Sequence, residues 1–579
     1  MQQPEIGSIL AIDIGTSRTK AALFDVVEGQ HRFVARSEVL TTLYFPVEDV
    51  SAGVKQVIAR IEEICGRSLM GPEGPMLPQR KNGSGVDFFV TTTSLGGRLR
   101  LLLASPTKAL ASLQQTRAIL DARGVESEVV VLSELPSASE TRYAAVVGTL
   151  KRFRPHAIFV LGEADQNSSL QNLAQDLVAS VHHREAESVP VYFIGTSEAS
   201  ESFQKLVGSK FDFYATGAPD DSNPSTAVRL ENEVASLWQQ CIVEEIPGYS
   251  LIASWQGTPV EHTSFAWGNS LRFISKHLQT EVIGIDIGAS SISIPYAANG
   301  AGEMRLGLTS GIGQNAINVL DDAAQIRRRL PFEATDDEIE NAVLNKWARP
   351  WTVPETFGEM LFESALSAAS AARLRGETNA YSSYFRASSG LGLVVGAGAL
   401  IANQSSPGIM ALTLLDALEP VGAFEIAIDK DSLLAQLGAV ARHYPQAAAE
   451  ALLTDALQYL GTCIACAGNG RAGSKAVTIQ IKRGAEKPRK IEVPYGEISA
   501  IPLASEETAE VVVKPSGGFD CGWGKGKSGK LAAKGGRLGL IIDARGRPVA
   551  PPSPNGKGHE RIRRWLDSVG HSMEHTEAR

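Results

Sequence analysis

Two distant segments of the chain share one pattern of apolar and polar positions. In each, a mostly apolar strand ends in Asp-Ile-Gly, turns tightly and returns as a second strand in which apolar and polar positions alternate. The first segment spans Ser8–Val26 and the second Glu281–Tyr296. Alternation with a period of two after a Gly-containing turn is typical of a β-hairpin. The pattern therefore predicts two β-hairpins, one near the start and one near the middle of the chain.

Between the hairpins, the pattern alternates strand and helix. A loop rich in Pro, Gly and Lys at Gly71–Ser84 precedes it, and the alternation runs from Val86 to about Ala218. Such an alternation predicts βαβ units and a small parallel sheet flanked by helices. We therefore expect an inserted α/β domain over residues 86–218.

After the second hairpin, Ala- and Leu-rich segments predict helices, one of them entered through Thr335 as an N-cap. A Gly-rich strand follows at Gly390–Ala402, and the remainder is strand-like and basic, with a final helix at His559–Val569. The run Arg327–Arg329 closes one of the helices, where the helix dipole favours cations, and we interpret it as a solvated helix end. Docking of a partner there is the alternative.

Composition narrows the function. The chain has 579 residues, of which 43% are apolar, so it should divide into several folding units, and its formal charge of −9 argues against a nucleic-acid-binding surface. Its longest apolar stretch, Leu391–Ala402, is too short to span a membrane. The N-terminus lacks a basic and apolar secretion signal, which predicts a cytoplasmic protein.

The five cysteines predict no disulfide framework. Cys463 and Cys466 are spaced as CxxC, but they lie in an apolar run that we interpret as a helix. Buried packing is the favoured interpretation of this pair, with redox or metal chemistry as the alternative.

The two hairpins carry the candidate chemistry. A strand that ends in Asp-x-Gly and turns tightly brings backbone N–H groups and a hydroxyl against phosphate, while the carboxylate faces the accompanying cation. Two such hairpins can clamp one phosphate chain. Small residues after the apolar strand at Val394–Ala399 would let backbone approach a flat ligand such as adenosine. We therefore predict ATP or ADP as the ligand, with Mg²⁺ held by Asp13 and Asp286.

In the order of these elements the chain resembles the superfamily of actin, sugar kinases and the Hsp70 ATPase domain. The resemblance implies a two-lobed actin-like, or ribonuclease H-like, α/β fold with the nucleotide between the lobes. The residues that match its phosphate and adenosine elements, and so the expected cofactor-binding residues, are Asp13, Gly15, Thr16, Ser17, Lys20, Asp286, Gly288, Ala289, Ser290, Gly311, Gly313, Gly396 and Gly398. The superfamily also places an acidic or amide residue on the helix before the second hairpin, where Asn269 is the only polar candidate, and no catalytic residue is assigned.

Most of the chain is similar to one branch of this superfamily, the MutL or GlmL accessory proteins of adenosylcobalamin-dependent glutamate mutase, also called methylaspartate mutase, which are unrelated to the mismatch-repair protein called MutL. The resemblance rests on four further segments besides the first hairpin. It implies a chaperone-like factor that uses ATP to exchange damaged cobalamin from the mutase subunits. The four segments are Thr92–Leu99, Thr309–Gly313, Leu414–Pro420 and Leu538–Pro548.

The chain departs from this branch at two places. Where the family tends to have a Gly-Gly-Thr-Asp-Gly-Gly turn, this sequence has Leu161–Ser169 with a single glycine. The second hairpin reads Gly-Ala-Ser at Gly288–Ser290, where Gly-Gly-Ala-Thr is more usual. A divergent member of the family is therefore expected.

Three functions are compatible with these residues. The first is an ATP-dependent reactivation factor, the second a non-hydrolysing structural or assembly protein on the same fold, and the third a small-molecule kinase, which would need a general base that the sequence does not reveal.

The expected domains are lobe I at 1–85, the inserted α/β domain at 86–218, a return to lobe I at 219–280, lobe II with the second phosphate hairpin, helical subdomain and adenosine loop at 281–467, and a C-terminal β-rich extension with a final helix at 468–579.

Overall fold

The computed structural model describes residues 6–163, 167–182, 189–218, 224–307, 309–376, 390–550 and 552–570. The chain divides into two compact units. Unit 1 comprises residues 1–42, 52–94 and 260–579, and unit 2 comprises residues 43–51 and 95–259. Strands and helices are numbered below in chain order.

Two sheets of unit 1 repeat one strand order. In each, three consecutive antiparallel strands are followed by two strands that continue the sheet in parallel. The first sheet has the order β3-β2-β1-β6-β12, and the second begins β15-β14-β13-β16-β17. This repeated order is the duplicated ribonuclease H-like unit of the actin-like fold. The strands of the first sheet are β1 (Ile9–Ile14), β2 (Arg18–Val27), β3 (Gln30–Leu40), β6 (Phe88–Thr93) and β12 (Glu261–His262).

Three further strands extend the second sheet beyond the repeat. Two of them come from the C-terminal part of the chain, so this part completes the second sheet in addition to forming a four-stranded sheet of its own, with the order β20-β19-β22-β23. The strands of the second sheet are β13 (Glu281–Ile287), β14 (Ile292–Ala298), β15 (Ala301–Gly307), β16 (Leu391–Ala397), β17 (Gly422–Ile428), β18 (Gln458–Ala465), β24 (Gly539–Asp543) and β21 (Ile498–Ile501). Those of the C-terminal sheet are β19 (Lys475–Lys482), β20 (Arg489–Pro494), β22 (Thr508–Pro515) and β23 (Gly529–Lys534). A small ribbon joins β4 (Met70–Gly71) to β5 (Gly74–Pro75).

Helices cover these sheets and build a helical subdomain between β15 and β16. Thr335 caps its central helix through a reciprocal pair of hydrogen bonds with Glu338, as the sequence predicts. Helices α9, α11 and α13 pack on one buried apolar cluster with the second sheet, and α8, α14 and α15 on another. The helices of unit 1 are α8 (Thr263–Leu278), α9 (Ala323–Arg327), α10 (Asp336–Ala348), α11 (Phe357–Gly376), α12 (Ala399–Asn403), α13 (Pro407–Leu418), α14 (Leu434–Ala441), α15 (Pro445–Thr454) and α16 (Gly556–Ser568). Helix α1 (Val50–Cys65) begins at the boundary of the two units.

Unit 2 contains a parallel five-stranded sheet with the order β8-β7-β9-β10-β11. At its centre Gly195 lies so close to Gly162 that a Cβ on Gly195 would come within 1.9 Å of the Gly162 carbonyl oxygen. The strands are β7 (Arg100–Ser105), β8 (Glu126–Val131), β9 (Ala157–Gly162), β10 (Val191–Gly195) and β11 (Phe213–Thr216). The helices are α2 (Ala111–Ala122), α3 (Ser139–Phe153), α4 (Asn167–His182), α5 (Ser197–Val207), α6 (Pro224–Trp238) and α7 (Tyr249–Trp255).

The inserted unit begins and ends later than the 86–218 expected from the sequence. Strand β6 lies in the first sheet of unit 1, where it pairs in parallel with β1. Helix α6 packs through Leu230, Val234 and Leu237 on the apolar cluster of the inserted sheet. The insertion therefore covers residues 95–259, and the chain returns to unit 1 at Val260. Part of the departing run Leu161–Ser169, residues 164–166, lies outside the described residues.

The CxxC segment is a strand, so its interpretation as a helix was wrong. Cys463 lies in β18 and packs in the core of the second sheet, whereas Cys466 belongs to the core shared with the C-terminal sheet. Instead of facing Cys463, the Sγ of Cys466 lies 2.7 Å from the Sγ of Cys521. Both sulfurs are buried.

No helix within the described ranges is long and apolar enough to cross a membrane.

Candidate functional site

The two predicted hairpins have the same turn. In β1–β2 the amide of Gly15 donates to the carbonyl oxygen of Arg18 at 3.0 Å, and in β13–β14 the amide of Gly288 donates to that of Ser291 at 2.9 Å. A Cβ on Gly15 would lie 2.8 Å from the Arg18 oxygen, and one on Gly288 3.0 Å from the Ser291 oxygen. Glycine is required because the turn folds back so closely on itself.

The hairpins also share their register. Asp13 stands opposite Lys20 across β1 and β2, and Asp286 stands opposite Ser293 across β13 and β14. The tips between them carry Thr16 and Ser17 in the first hairpin and Ala289 and Ser290 in the second, all partly exposed. Each predicted phosphate hairpin therefore presents a carboxylate at the strand end and small or hydroxyl side chains at its tip.

One oxygen of the Asp13 carboxylate is held by two hydroxyl groups. The Oγ1 atoms of Thr92 and Thr263 both donate to Oδ1 of Asp13, at 2.9 and 2.7 Å. Thr92 is the penultimate residue of the neighbouring strand β6, and Thr263 begins α8. The carboxylate is buried, with 6% of the residue exposed. No described residue donates to its Oδ2, so this oxygen has the capacity to accept from a hydrated cation.

A third carboxylate lies close to the two that the sequence predicts. Asp429, which directly follows β17, accepts hydrogen bonds from the amides of Leu433 and Leu434 at 2.7 and 3.1 Å. Lys20 donates to the Oγ of Ser432 at 3.2 Å. The ends of β1, β13 and β17 thus bring three carboxylates and one ammonium group together.

Two of the carboxylates at this site, those of Asp286 and Asp429, resist ionisation. Burial raises the pKa of Asp286 to about 6, with Lys20 opposing the shift and the charge of Asp13 adding to it. Burial likewise raises the pKa of Asp429 to about 7, against its two backbone hydrogen bonds and Lys20. A divalent cation or a change of protonation would relieve this crowding of negative charge.

The structure is compatible with the predicted Mg²⁺ only if protein side chains supply few of the ligands of the ion. Within the described part of the chain, no three acidic, His or Cys side chains lie close enough to form a cage around a metal ion. Mg²⁺ usually keeps several waters and is held by one or two carboxylates together with substrate phosphates. Asp13 and Asp286 fit that role, with the phosphates of a nucleotide completing the site.

Gly398 lies against the second hairpin. It directly follows β16 with φ of +96°, and a Cβ there would lie 2.2 Å from the carbonyl oxygen of Ile287 and 2.6 Å from Oδ1 of Asp286. Gly396 has a different neighbour, because its missing Cβ leaves room for the side chain of Leu414 on α13. Gly398 is therefore required next to Asp286 at the site, whereas Gly396 makes room for α13 to pack against β16.

Gly311 and Gly313 form backbone hydrogen bonds to the tip of the second hairpin. Their amides donate to the carbonyl oxygens of Ser290 and Ala289, at 3.3 and 2.9 Å. A Cβ on Gly311 would lie 2.5 Å from the Ala289 oxygen. The two glycines therefore hold the hairpin tip in place through the backbone.

Two adjoining cavities extend from the hairpins into the helical subdomain. The first, about 20 Å³, lies between the hairpin tips and α12, and Ser17, Ala289 and Asn403 contribute to its wall. The second, about 640 Å³, lies between α10 and α11. Lys346 and Glu363, which form an ion pair, line both cavities. The arrangement provides a continuous wall from the phosphate hairpins to a space large enough for a nucleoside.

Asn269 does not take the role of a water-positioning residue in this structure. Its Nδ2 donates to Glu261 and its Oδ1 accepts from Arg272, so both ends of the amide are engaged. The first residue of the same helix is Thr263, which is bonded to Asp13.

Five functional candidates were missed from the sequence: Thr92, Thr263, Lys346, Glu363 and Asp429. Only Asp429 carries a usable local signal, since it directly follows an apolar strand. The others reach the site through strand order and helix packing, which local patterns do not encode.

Comparison with known proteins identifies a family and several similar solved structures. The model of the MutL protein family matches residues 9–456. No curated protein matches the chain. Among solved structures, component A of (R)-2-hydroxyglutaryl-CoA dehydratase from Acidaminococcus fermentans matches at 11% identity over 76% of this chain and 99% of that one, with a TM-score of 0.27.

Two further solved structures are similar. The ethanolamine utilization protein EutJ from Carboxydothermus hydrogenoformans matches at 11% identity over 76% of this chain and 89% of its own, with a TM-score of 0.27. Xylulose kinase from Bifidobacterium adolescentis matches at 10% identity over 79% and 96%, with a TM-score of 0.26. At these scores the assignment of the fold rests on the repeated strand order.

Proposed function

Since the chain belongs to the MutL protein family, we propose that it binds Mg·ATP between its two hairpins and serves as an accessory, chaperone-like factor for an adenosylcobalamin-dependent mutase of the glutamate mutase type. Nucleotide binding would draw the hairpins together and change the affinity of an outer surface for the mutase subunits. The mutase and its cobalamin enter the proposal through the family resemblance alone.

The observation that carries nucleotide binding is the pairing of Asp13 and Asp286 on two identical turns. The amides and hydroxyls at the hairpin tips are placed to donate to phosphate oxygens, and Lys20 adds a positive charge beside them. A bound Mg²⁺ would supply charge neutralisation between the phosphates and the two carboxylates. Gly398 keeps the backbone of the adenosine loop close to Asp286.

The test is Mg·ATP binding and turnover by the purified protein and by its Asp13→Ala and Asp286→Ala variants. Each substitution should weaken Mg·ATP binding at least about tenfold. The matched control is Asp431→Asn, which removes an exposed carboxylate paired with Arg36 close to Asp429 in the chain, and it should bind as the wild type does. If none of the proteins binds nucleotide, the proposal fails.

A second series adds glutamate mutase subunits to the same proteins. The reactivation role predicts that the subunits stimulate ATP turnover and that activity lost through damaged cobalamin returns only with ATP. Unchanged turnover and unrestored mutase activity would contradict this role while leaving nucleotide binding intact.

The structure of α8 favours one alternative, a non-hydrolysing assembly protein. The candidate for positioning a water, Asn269, is bonded to Glu261 and Arg272, and Thr263 is committed to Asp13. Purified protein that retains ADP but shows no turnover, with or without the subunits, would support this alternative. The kinase alternative needs a general base facing the terminal phosphate, and only phosphorylation of an added small molecule would favour it.

A further inference from the structure

A separate cavity, well away from the hairpins in sequence, lies where the C-terminal segment covers the helical subdomain. It has a volume of about 40 Å³, and α11, α13 and α16 form its apolar wall. Its polar lining comprises Arg328, Arg329, Asp416, Arg545 and Ser364. Three guanidinium groups therefore face one carboxylate across a small cavity.

Arg329 is a half-buried cation without a carboxylate partner among the described residues. Its Nη1 donates only to the carbonyl oxygen and the Oε1 of Gln325, at 2.8 and 3.3 Å. Burial lowers the pKa of this guanidinium from its usual value. Removing a charge from water is costly unless an opposite charge or a hydrogen-bonding partner replaces the solvent, so a second, anionic partner is expected here.

The neighbouring arginines differ from one another in their contacts. Arg327 forms an ion pair with Asp336 and donates to the carbonyl oxygen of Ala334, outside the cavity. Arg328 reaches the cavity from its exposed side and, within the described ranges, has no ion pair. The sequence predicted one solvated helix end for Arg327–Arg329. In the structure Arg327 is paired with a carboxylate, whereas Arg328 and Arg329 face the cavity.

Arg545 forms a fixed positive wall. It donates to both oxygens of Asp543 at 2.9 Å, lies 2.7 Å from Oδ1 of Asp416, and stacks with its Cζ 4.9 Å from the ring centre of Trp565. Only 3% of the residue is exposed. Asp416 and the nearby Glu419 act on Arg329 against the like charges of Arg375 and Arg545, but Asp416 also engages Arg545, so three guanidinium groups line the cavity against a single carboxylate.

The volume limits what could bind. A cavity needs roughly 10–15 Å³ for each water molecule, so this one accommodates about three waters, or one small tetrahedral or planar anion. A nucleotide is too large. Planar guanidinium groups match the geometry of phosphate and carboxylate oxygens.

We propose that this cavity is a binding site for a small oxyanion, a phosphate or carboxylate group, held by Arg328 and Arg329 with Arg545 as the fixed wall. Two parts of the chain build it. Arg328, Arg329 and Asp416 lie within the part matched by the MutL family, and Arg545 lies beyond it. The C-terminal segment thus closes an anion site on the part of the chain that the family model matches.

The test is titration of the full-length protein with inorganic phosphate, sulfate and acetate at constant ionic strength, set by chloride. A bound anion should raise the thermal midpoint increasingly as its concentration exceeds the dissociation constant, and calorimetry should give the affinity. Arg329→Gln should bind the preferred anion at least about tenfold more weakly, as expected for the loss of a charged hydrogen bond.

The matched control is Arg327→Gln, which removes the same charge from the same helix end but not from the cavity; it should bind as the wild type does. Asp286→Asn should also leave this binding unchanged, which separates the site from the nucleotide hairpins. The proposal is overturned if Arg329→Gln keeps the wild-type affinity, if Arg327→Gln loses as much, if chloride gives the same shift, or if an acidic peptide binds while none of the three anions does.

Discussion

Thr263 donates a hydrogen bond of 2.7 Å to Oδ1 of Asp13 across 250 residues of sequence. Thr92 donates to the same oxygen from a neighbouring strand. Two hydroxyls on one oxygen fix the carboxylate in a single orientation and direct its second oxygen toward the space beside the hairpin. The first residue of α8 is therefore part of the phosphate site, although nothing in its local sequence suggests it.

Thr263→Val should weaken Mg·ATP binding about tenfold, because it removes a hydrogen bond that orients a carboxylate close to the proposed metal. The conservative variant Thr263→Ser keeps the hydroxyl and should retain most of the affinity. Calorimetric titration with Mg·ATP measures both. Equal affinities for the Val and Ser variants would show that the hydroxyl does not contribute.

The Asp286 carboxylate should make the nucleotide-free protein less stable as the pH rises. Its pKa in the folded state is about 6, above the ordinary value of 3.8, so between these values the folded state binds more protons than the unfolded state, and stability falls with rising pH. Asp286→Asn removes this effect. The thermal midpoint of the variant should exceed that of the wild type by more at pH 8 than at pH 5, and a gap that stays constant between these pH values would contradict the assignment.

Gly398→Ala should destabilise the protein and abolish nucleotide binding. The positive φ alone costs on the order of 1 kcal/mol, and the added Cβ would also collide with Ile287 and Asp286. Gly29→Ala is the control, since Gly29 has φ of +83° and no heavy atom within 4 Å of the added Cβ. It should lose about 1 kcal/mol and keep its affinity for Mg·ATP. Thermal unfolding and nucleotide titration compare the two, and similar losses in both would argue against the collision.

Asp543→Asn should lower stability by about 3–5 kcal/mol, because it removes one of the two carboxylates that pair with the buried Arg545. Although burial alone would raise it, Arg545 and Arg547 hold the pKa of Asp543 well below its usual value. The surface substitution Glu492→Gln, which removes an exposed partner of Lys490, should cost at most about 1 kcal/mol. Denaturant unfolding of the two variants gives the comparison, and losses of equal size would contradict the importance of the buried pair.

Cys466 and Cys521 should form a disulfide when the protein is incubated with oxidised dithiothreitol, which accepts the two thiol hydrogens as the Sγ–Sγ bond forms. Their sulfurs are 2.7 Å apart and the residues are 55 positions apart, so the cross-link should stabilise the C-terminal sheet by about 4 kcal/mol. Peptide mass spectrometry detects the bond, and Cys521→Ser should remove both the bond and the gain in thermal midpoint. A bond from Cys463 to Cys466 would contradict the structure.

The hairpins at Asp13 and Asp286 were predictable because strand alternation and Gly turns are local signals. The fold class followed from finding the signal twice. The boundary of the insertion was misplaced because β6 is assigned to its sheet by parallel pairing with β1, a contact between distant segments. The CxxC strand was misread because a short apolar run such as Gln458–Ala465 fits a buried helix and a buried strand equally well.

The residues of the site likewise divide into those that local sequence predicts and those that it does not. Asp13, Gly15, Asp286 and Gly288 belong to a motif that can be recognised along the chain. Thr92 and Asp429 reach the site only because their strands lie next to β1 and β16. Residues that act through a neighbouring strand or helix leave no spacing pattern in one sequence.

The two hairpins match in turn and register, but the residue that faces the aspartate differs: it is Lys20 in the first and Ser293 in the second. A receptor built from two equal halves would accept a chain of phosphates in either direction. With a cation on one half only, the two ends of such a chain become inequivalent, and a single direction of entry is favoured. A cation on one hairpin alone therefore gives the repeated scaffold a polarity.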